Sequence, residues 1–161
     1  MINKSSKDDA EMTNSEFKKL MALTKIFVKD NIELPRNGEF ETYDLESRES
    51  RDKFYLDIDR RGRIELSKFK MQNRYAVTKQ PLVRIDIDSP PHRNPDGTLT
   101  SRNHIHIFRE TDNDTGNLPW AYDLGTVIPV KPDQDRIDFM TIFSRFCEYC
   151  NICIDNVQGV I

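Results

Sequence analysis

The sequence predicts a single α+β domain, in which an antiparallel meander of four to six strands is flanked by an N-terminal and a C-terminal helix packed on one face. Apolar residues recur at helical spacing near both ends of the chain, whereas in the middle they alternate with polar residues at the spacing of a strand. The chain has 161 residues, of which 37% are hydrophobic, so it is long enough for one core and short for two. We therefore expect two helices to cover one sheet face and the other face to stay partly open.

The first helix is predicted from about Asn14 to Asp30. Thr13, with Glu16 three residues later, is a capping box, in which each side chain bonds the free backbone amide of the other residue. Apolar side chains follow at helical spacing and form one buried face. Lysines, among them Lys25, occupy the remaining face, which we expect to be exposed to solvent.

Strands are predicted where polar and apolar residues alternate. Residues 54–59 (FYLDID) are the clearest case, and they are followed by a turn at Arg60-Arg61-Gly62 and a returning strand. Residues 89–98 (SPPHRNPDGT) are a dense turn signal between two further strands. The predicted strands are 40–45, 54–59, 63–71, 82–88, 103–110 and 120–124.

The last helix is predicted to begin at Pro132 and Asp133 and to run to about Asn151. Its residues 147–153 (CEYCNIC) hold all three cysteines, which a metal knuckle would also use. Spacing of three places them on the apolar stripe of the helix, where free cysteine packs as a small hydrophobic residue. We therefore interpret the cysteines as core residues.

The domain is predicted to span 13–155, between a disordered tail at 1–12 and a C-terminal tail at 156–161. The N-terminal tail lacks the apolar segment of a secretory signal, and no apolar run reaches the roughly 18 residues of a membrane span. We therefore expect a cytoplasmic protein with no membrane partner. An exposed strand edge at Phe40–Leu45 would permit a homodimer.

Residues 104–107 (HIHI) and 84–88 (RIDID) both alternate strictly between polar and apolar side chains, as two neighbouring half-buried strands would. If these strands are neighbours, their isoleucines face the core, and the polar residues of both strands share the opposite face with Asp57 and Asp59. The third histidine of the chain, His92, lies in the loop between the two strands. This polar face is the candidate functional site.

Metal-independent RNA cleavage is the leading hypothesis for this face. His104 and His106 would be the acid and the base in an order that the sequence leaves open, and Arg84 would stabilise the pentavalent phosphorane. Asp86 would orient one imidazole, while His92 and Arg93 would lie in a mobile loop above the site. The mechanism requires neither a metal nor another cofactor.

Three alternatives remain open. The face is polar without further function, as in many antiparallel sheets. It binds a metal ion through the histidines with Asp86 and Asp88. Or it is a binding surface with loop arginines and aromatic side chains as anchors. The residues proposed for such a surface are His92, Arg93, Arg60, Arg61, Arg63, Arg102, Trp120 and Tyr122.

Charge is unevenly distributed along the chain. Residues 46–110 carry fourteen Lys and Arg against ten Asp and Glu, whereas the whole chain has a net charge of −3. This modest central excess favours a negatively charged partner. The candidate partners are RNA and a ribonucleoprotein or nuclease complex.

Four blocks of the sequence resemble a poorly characterised family of small proteins from Gram-positive bacteria, their phages and mobile elements. The blocks are LDIDR at 56–60, PDGT at 95–98, HIHI at 104–107 and WAY at 120–122, and the resemblance covers about residues 13–155. A phage or mobile-element origin implies either a toxin-like nuclease or a non-enzymatic inhibitor of a host defence nuclease, such as a CRISPR effector. The resemblance assigns no catalytic residue.

Overall fold

The computed structural model describes residues 11–62, 67–110, 117–130 and 138–159. Within them, seven strands form one sheet in sequence order, and every neighbouring pair is antiparallel. The α+β class and the meander are confirmed, with more strands than expected. The strands are β1 (Lys25–Phe27), β2 (Phe40–Ser47), β3 (Lys53–Asp59), β4 (Phe69–Tyr75), β5 (Pro81–Ile87), β6 (His104–Ile107) and β7 (Ala121–Asp123). The helices are α1 (Asn14–Ala22), α2 (Phe139–Tyr149) and a 3-10 turn (Leu124–Thr126).

Helix α1 is shorter than predicted. It ends at Ala22, and the prediction that it continues to Asp30 is wrong. The capping box of Thr13 and Glu16 is present, and Leu23 ends the helix in an extended conformation. The next residues form β1, whose Lys25 amide donates to the Asn151 carbonyl. Tertiary pairing with β2 and the C-terminal segment thus replaces further helical turns.

Lys25 is fully buried, contrary to the exposed position that the helical spacing predicts. Its Nζ donates to the carbonyls of Leu23 at 3.0 Å and Cys150 at 2.8 Å, and it lies 4.8 Å from the Phe54 ring centroid. Burial lowers the pKa of Lys25 to about 8. Cys150 caps the C-terminus of α2, so the lysine satisfies a carbonyl that the helix leaves free.

The apolar sheet face is covered by α2. Asp138 caps this helix by accepting from the Thr141 amide, and the Phe139 ring packs edge-on against Phe69 at 5.1 Å. The predicted start at Pro132 and Asp133 lies outside the described residues. Cys147 and Cys150 are free and buried in the core, as predicted, and Cys153 is half-buried.

Helix α1 contacts the segment that follows β6. The rings of Phe17 and Phe108 lie 5.4 Å apart, and Asn14 and Glu110 exchange backbone–side-chain hydrogen bonds of 2.9 and 2.8 Å. At the opposite edge, Ile32 forms a parallel bridge with Val157, a residue within the predicted C-terminal tail. The packed region therefore extends beyond residue 155.

Strand β2 is not the outermost strand. β1 covers only its last residues, Leu45 to Ser47, while Phe40, Glu41 and Thr42 are exposed.

In the described part of the chain, no helix is long and apolar enough to cross a membrane.

Candidate functional site

The predicted neighbours β5 and β6 do pair, in the register that joins their polar residues. Arg84 lies opposite His106, and Asp86 lies opposite His104. The same register continues across β4 to Asp57 and Asp59 of β3, so these side chains share one sheet face. The strand alternation therefore predicts correctly that these residues share a face, with Asp88 as the exception.

Asp86, His104 and His106 form a tight cluster at the β5–β6 end of this face. Asp86 Oδ2 lies 3.4 Å from His104 Nε2 and 3.5 Å from His106 Nε2. Arg84 binds the same carboxylate, with Nε 2.8 Å from Oδ1, and its Nη2 lies 3.0 Å from His106 Nε2. The His92 ring packs at 4.7 Å from the His106 ring.

Backbone carbonyls fix the orientation of all three imidazoles. His104 Nδ1 donates to Ser101 O at 2.9 Å, and His106 Nδ1 donates to Leu118 O at 2.8 Å. His92 Nε2 donates to the carbonyl of Pro119 at 2.7 Å. A neutral imidazole has one N–H, so these bonds leave Nε2 of His104 and His106 as lone-pair acceptors.

The cluster keeps its carboxylate charged and His106 neutral. Burial by itself would raise the pKa of Asp86, but the positive charge and hydrogen bonds of Arg84 favour the carboxylate, and this pKa lies well below its usual range. Burial lowers the pKa of His106, which favours the uncharged ring.

The loop 89–103 closes over this end of the face, and we call Asp86, His104 and His106 beneath it the closed half. Asn94 attaches the loop to β7, because its side-chain amide donates to Ala121 O at 2.9 Å and accepts from Ala121 N at 2.8 Å. His104 and His106 are each 1% exposed. The expectation of an open face is wrong here, because the loop occupies the space that solvent was expected to fill.

The other end of the same face is an open groove of about 340 Å³, between β2 and β5. Asp57 lines the groove and accepts from Arg74 Nε at 2.6 Å, Arg74 Nη2 at 2.9 Å and Thr42 Oγ1 at 2.7 Å. Arg84 belongs to both regions, since it binds Asp86 and also lines the groove. The groove residues are Phe40, Thr42, Asp57, Asp59, Lys70, Gln72, Arg74 and Arg84.

A second cavity of about 530 Å³ adjoins this groove at the end of β3, beside Gly38, Asp59 and Arg61. Arg61 forms a bidentate bond with Asp59 and lies over the Phe40 ring at 4.6 Å. Arg60 instead points back to the protein, stacked 3.8 Å from the Phe139 ring centroid. Of the two turn arginines that the structure describes, Arg61 thus stands beside the groove and Arg60 does not. The third predicted turn arginine, Arg63, lies outside the described residues.

The remaining predicted binding residues do not join this surface. Arg93 donates to Gly97 O within its own loop, and Arg102 binds Asp88. Trp120 lies under the guanidinium of Arg109 at 4.0 Å. Tyr122 pairs with Ile105 and therefore lies on the apolar face.

Asp88 does not join the closed half, although one alternative places it there as a metal ligand. Its backbone adopts a left-handed conformation at φ 54°, which ends β5. The side chain then bonds Ser67 at 2.6 Å and Arg102 at 3.2 Å.

A model of a family of unknown function, DUF6978, matches residues 12–152. The chain belongs to this family. No curated protein and no solved structure matches the chain. The matched residues include all seven strands and both helices, so the DUF6978 region and the folded region largely coincide.

Sequence reasoning missed Asn94 as the residue that attaches the loop over the closed half. It also missed the carbonyls of Ser101, Leu118 and Pro119, which orient the rings, because every residue type carries the same carbonyl. Asn94 precedes the Pro-Asp-Gly-Thr turn, in which Gly97 has φ 91°. This turn signal predicts a loop, but it does not predict where the loop packs.

Proposed function

We propose that this protein is a small effector of a phage or mobile element that binds RNA, free or within a ribonucleoprotein, through the open groove. The observation that carries the proposal is an exposed aromatic ring beside cations. Phe40 is 42% exposed at the groove, where Lys70, Arg74 and Arg84 also lie. Single-stranded nucleic acid is held by this combination, because cations bind phosphates and aromatic rings stack on bases.

The cations of the groove differ in how freely they can reach a phosphate. Arg74 is engaged with Asp57, and Arg84 is engaged with Asp86, although its side chain is 30% exposed. Lys70 is half-buried and faces the groove from β4, opposite Asp86 in the sheet register. We therefore expect Lys70 and Phe40 to dominate binding, because the charges of the two arginines are compensated by Asp57 and Asp86.

Metal-independent RNA cleavage is the second candidate, favoured by the assembly of His104, His106, Asp86 and Arg84. Acid–base catalysis needs Nε2 of each ring within hydrogen-bond reach of the substrate. Both rings are 1% exposed, and Arg84 occupies His106 Nε2. Cleavage therefore requires Arg84 to turn into the groove and the loop 89–103 to move away from the histidines. RNA binding requires neither movement, so it is the preferred function.

The test is fluorescence anisotropy with labelled single-stranded RNA, duplex RNA and single-stranded DNA at several salt concentrations. We expect Phe40→Ala to weaken RNA binding by about tenfold, since stacking on one base contributes about 1–3 kcal/mol. Lys70→Glu should weaken it further and flatten the salt dependence. Lys18→Glu is the matched control, because it makes the same charge change on the exposed face of α1.

The same samples are run on a denaturing gel with and without EDTA. EDTA-resistant cleavage that His104→Asn and His106→Asn abolish would favour the enzyme over the binding protein. No binding to any nucleic acid at low salt, or equal losses for Lys70→Glu and Lys18→Glu, would overturn RNA binding. A protein partner is then the remaining candidate, as for an inhibitor of a host nuclease, and capture of a nuclease complex would be tested next.

A further inference from the structure

The closed half presents three ligand atoms that converge on one point. The two Nε2 atoms lie 3.4 and 3.5 Å from Asp86 Oδ2, and each of the three residues places a ligand atom within 4.8 Å of the others. A tetrahedral ion with bonds of about 2.0–2.1 Å separates its ligands by about 3.3–3.4 Å. The two distances from Asp86 to the imidazoles are therefore those of ligands on one tetrahedral ion, and they are long for direct hydrogen bonds.

The hydrogen bonds of the rings make these three atoms acceptors that face one another. With the protons of His104 and His106 on Nδ1, both Nε2 lone pairs point toward the carboxylate. Arg84 donates to His106 Nε2, but its closest bond to Asp86 is at Oδ1. A cation between the three acceptor atoms removes the repulsion among them.

The surroundings also match those of a metal centre. Metal-bound imidazoles usually donate their second ring nitrogen to a carbonyl or carboxylate, which fixes the ring and raises its basicity. Here Ser101 O and Leu118 O play that part, and Arg84 holds the second oxygen of Asp86. All three candidate ligands are buried.

We propose that Asp86, His104 and His106 bind a divalent transition-metal ion, with zinc as the expected occupant. Two imidazole nitrogens and one carboxylate oxygen suit zinc and its first-row neighbours, whereas magnesium and calcium require mainly oxygen ligands. Among the described residues, this is the one group of His, Cys, Asp and Glu side chains close enough to hold an ion.

Arg84 connects the metal site to the groove. Its Nη2 lies beside His106 Nε2, so metal binding must displace this contact, while the bond from Nε to Asp86 Oδ1 can persist. The guanidinium lines the groove and can turn into it. Three protein ligands leave one position of a tetrahedral ion for water or another ligand.

The first experiment adds Zn²⁺ or Mg²⁺ to chelator-treated full-length protein and follows thermal unfolding and calorimetric binding. We expect Zn²⁺ to bind with a stoichiometry of one and to raise Tm, and Mg²⁺ to do neither. Asp86→Asn keeps the side-chain shape, and we expect it to weaken zinc binding by more than about 100-fold, beyond the 10–100-fold typical of an outer-shell change. His92→Asn is the matched control, because this ring lies next to the cluster but outside the ligand group.

Co²⁺ spectroscopy identifies the ligands even if a variant folds poorly. The wild-type complex should show visible ligand-field bands of a tetrahedral nitrogen–oxygen site without the near-ultraviolet band of thiolate ligation. A thiolate band that Cys153→Ser removes would assign the ion to the cysteine run and overturn the proposal. Stoichiometric binding that survives Asp86→Asn, or absence of binding to folded wild-type protein, would also overturn it.

Discussion

The two halves of the polar sheet face differ in access to solvent, although the same alternation of residues builds both. In the closed half, the loop 89–103 covers Asp86, His104 and His106. In the open groove, Phe40 and Thr42 are exposed, and Lys70 and Arg84 are partly exposed. A strand pattern thus places side chains on a face, whereas the packing of a distant loop decides whether that face meets water.

The halves also differ in how they treat charge. Every charge in the closed half has a counter-charge or a fixed hydrogen bond, since burial makes an unpaired charge costly. The groove tolerates Lys70 beside two ion pairs, because solvent screens its charge. The difference teaches that a sealed polar site needs internal compensation and that an open site can keep charges free for a ligand.

The largest effect is expected at Lys25, a sealed cation with carbonyls rather than carboxylates as hydrogen-bond partners. Its pKa is about 8 in the folded protein and 10.5 as the ordinary value. Below pH 8 both states are protonated, and the folded state carries the cost of a buried charge. Between pH 8 and 10.5 the unfolded state binds more protons, so folding stability should rise with pH by about 3 kcal/mol.

The measurement is urea unfolding of wild type and Lys25→Met between pH 7 and 10. Other groups titrate in this range, so the relevant quantity is the difference between the two proteins. Wild type should gain stability relative to the variant as the pH rises. Parallel profiles would mean that sealing a charge without a counter-charge has little cost here.

Removing the hydrogen bonds that attach the loop 89–103 to β7 should expose the closed half to solvent. Asn94→Ala leaves the Ala121 amide and carbonyl without their side-chain partners, and we expect a loss of about 2–3 kcal/mol. Asn94→Asp keeps an acceptor for the Ala121 amide but sets a buried carboxylate against the Ala121 carbonyl, so its loss at neutral pH should be at least as large. Hydrogen exchange at the Ala121 amide should accelerate in both variants, and unchanged exchange would show that the loop closes without Asn94.

In the groove, stability and binding should change in opposite directions. Asp57→Asn removes the charge that holds Arg74, and we expect a loss of about 2 kcal/mol in folding stability. The freed guanidinium adds one positive charge to the groove, so RNA should bind more tightly if the groove is the binding site. Chemical unfolding and anisotropy together check this, and weaker binding would count against the groove.

The smallest effect is expected at Arg102, whose ion pair with Asp88 lies at the surface. The side chains are 52% and 28% exposed, so Arg102→Ala should cost no more than about 0.5–1 kcal/mol. A comparison of its stability loss with that of Asn94→Ala shows how much the surface ion pair and the buried amide contact each contribute to holding the loop. A loss as large as that of Asn94→Ala would show that both hold the loop.

The sequence by itself determined the fold class, the meander and the shared face of the polar residues of β5 and β6, with Asp88 as the exception. Alternation has a period of two, so it assigns Arg84, Asp86, His104 and His106 to one side wherever the strands pair. The capping box likewise determined the start of α1, because both of its partners lie within one helical turn. These features depend on residues close together in the chain.

Only the tertiary structure decided the end of α1, the burial of Lys25 and the closure over the histidines. Each depends on partners far along the chain: Asn151 and Cys150 for Lys25, and Ala121 for Asn94. Backbone carbonyls supply most of these contacts, and a carbonyl has no signature in the residue alphabet. Local patterns therefore predict which side chains share a face, while long-range packing determines which of them water, a metal ion or RNA can reach.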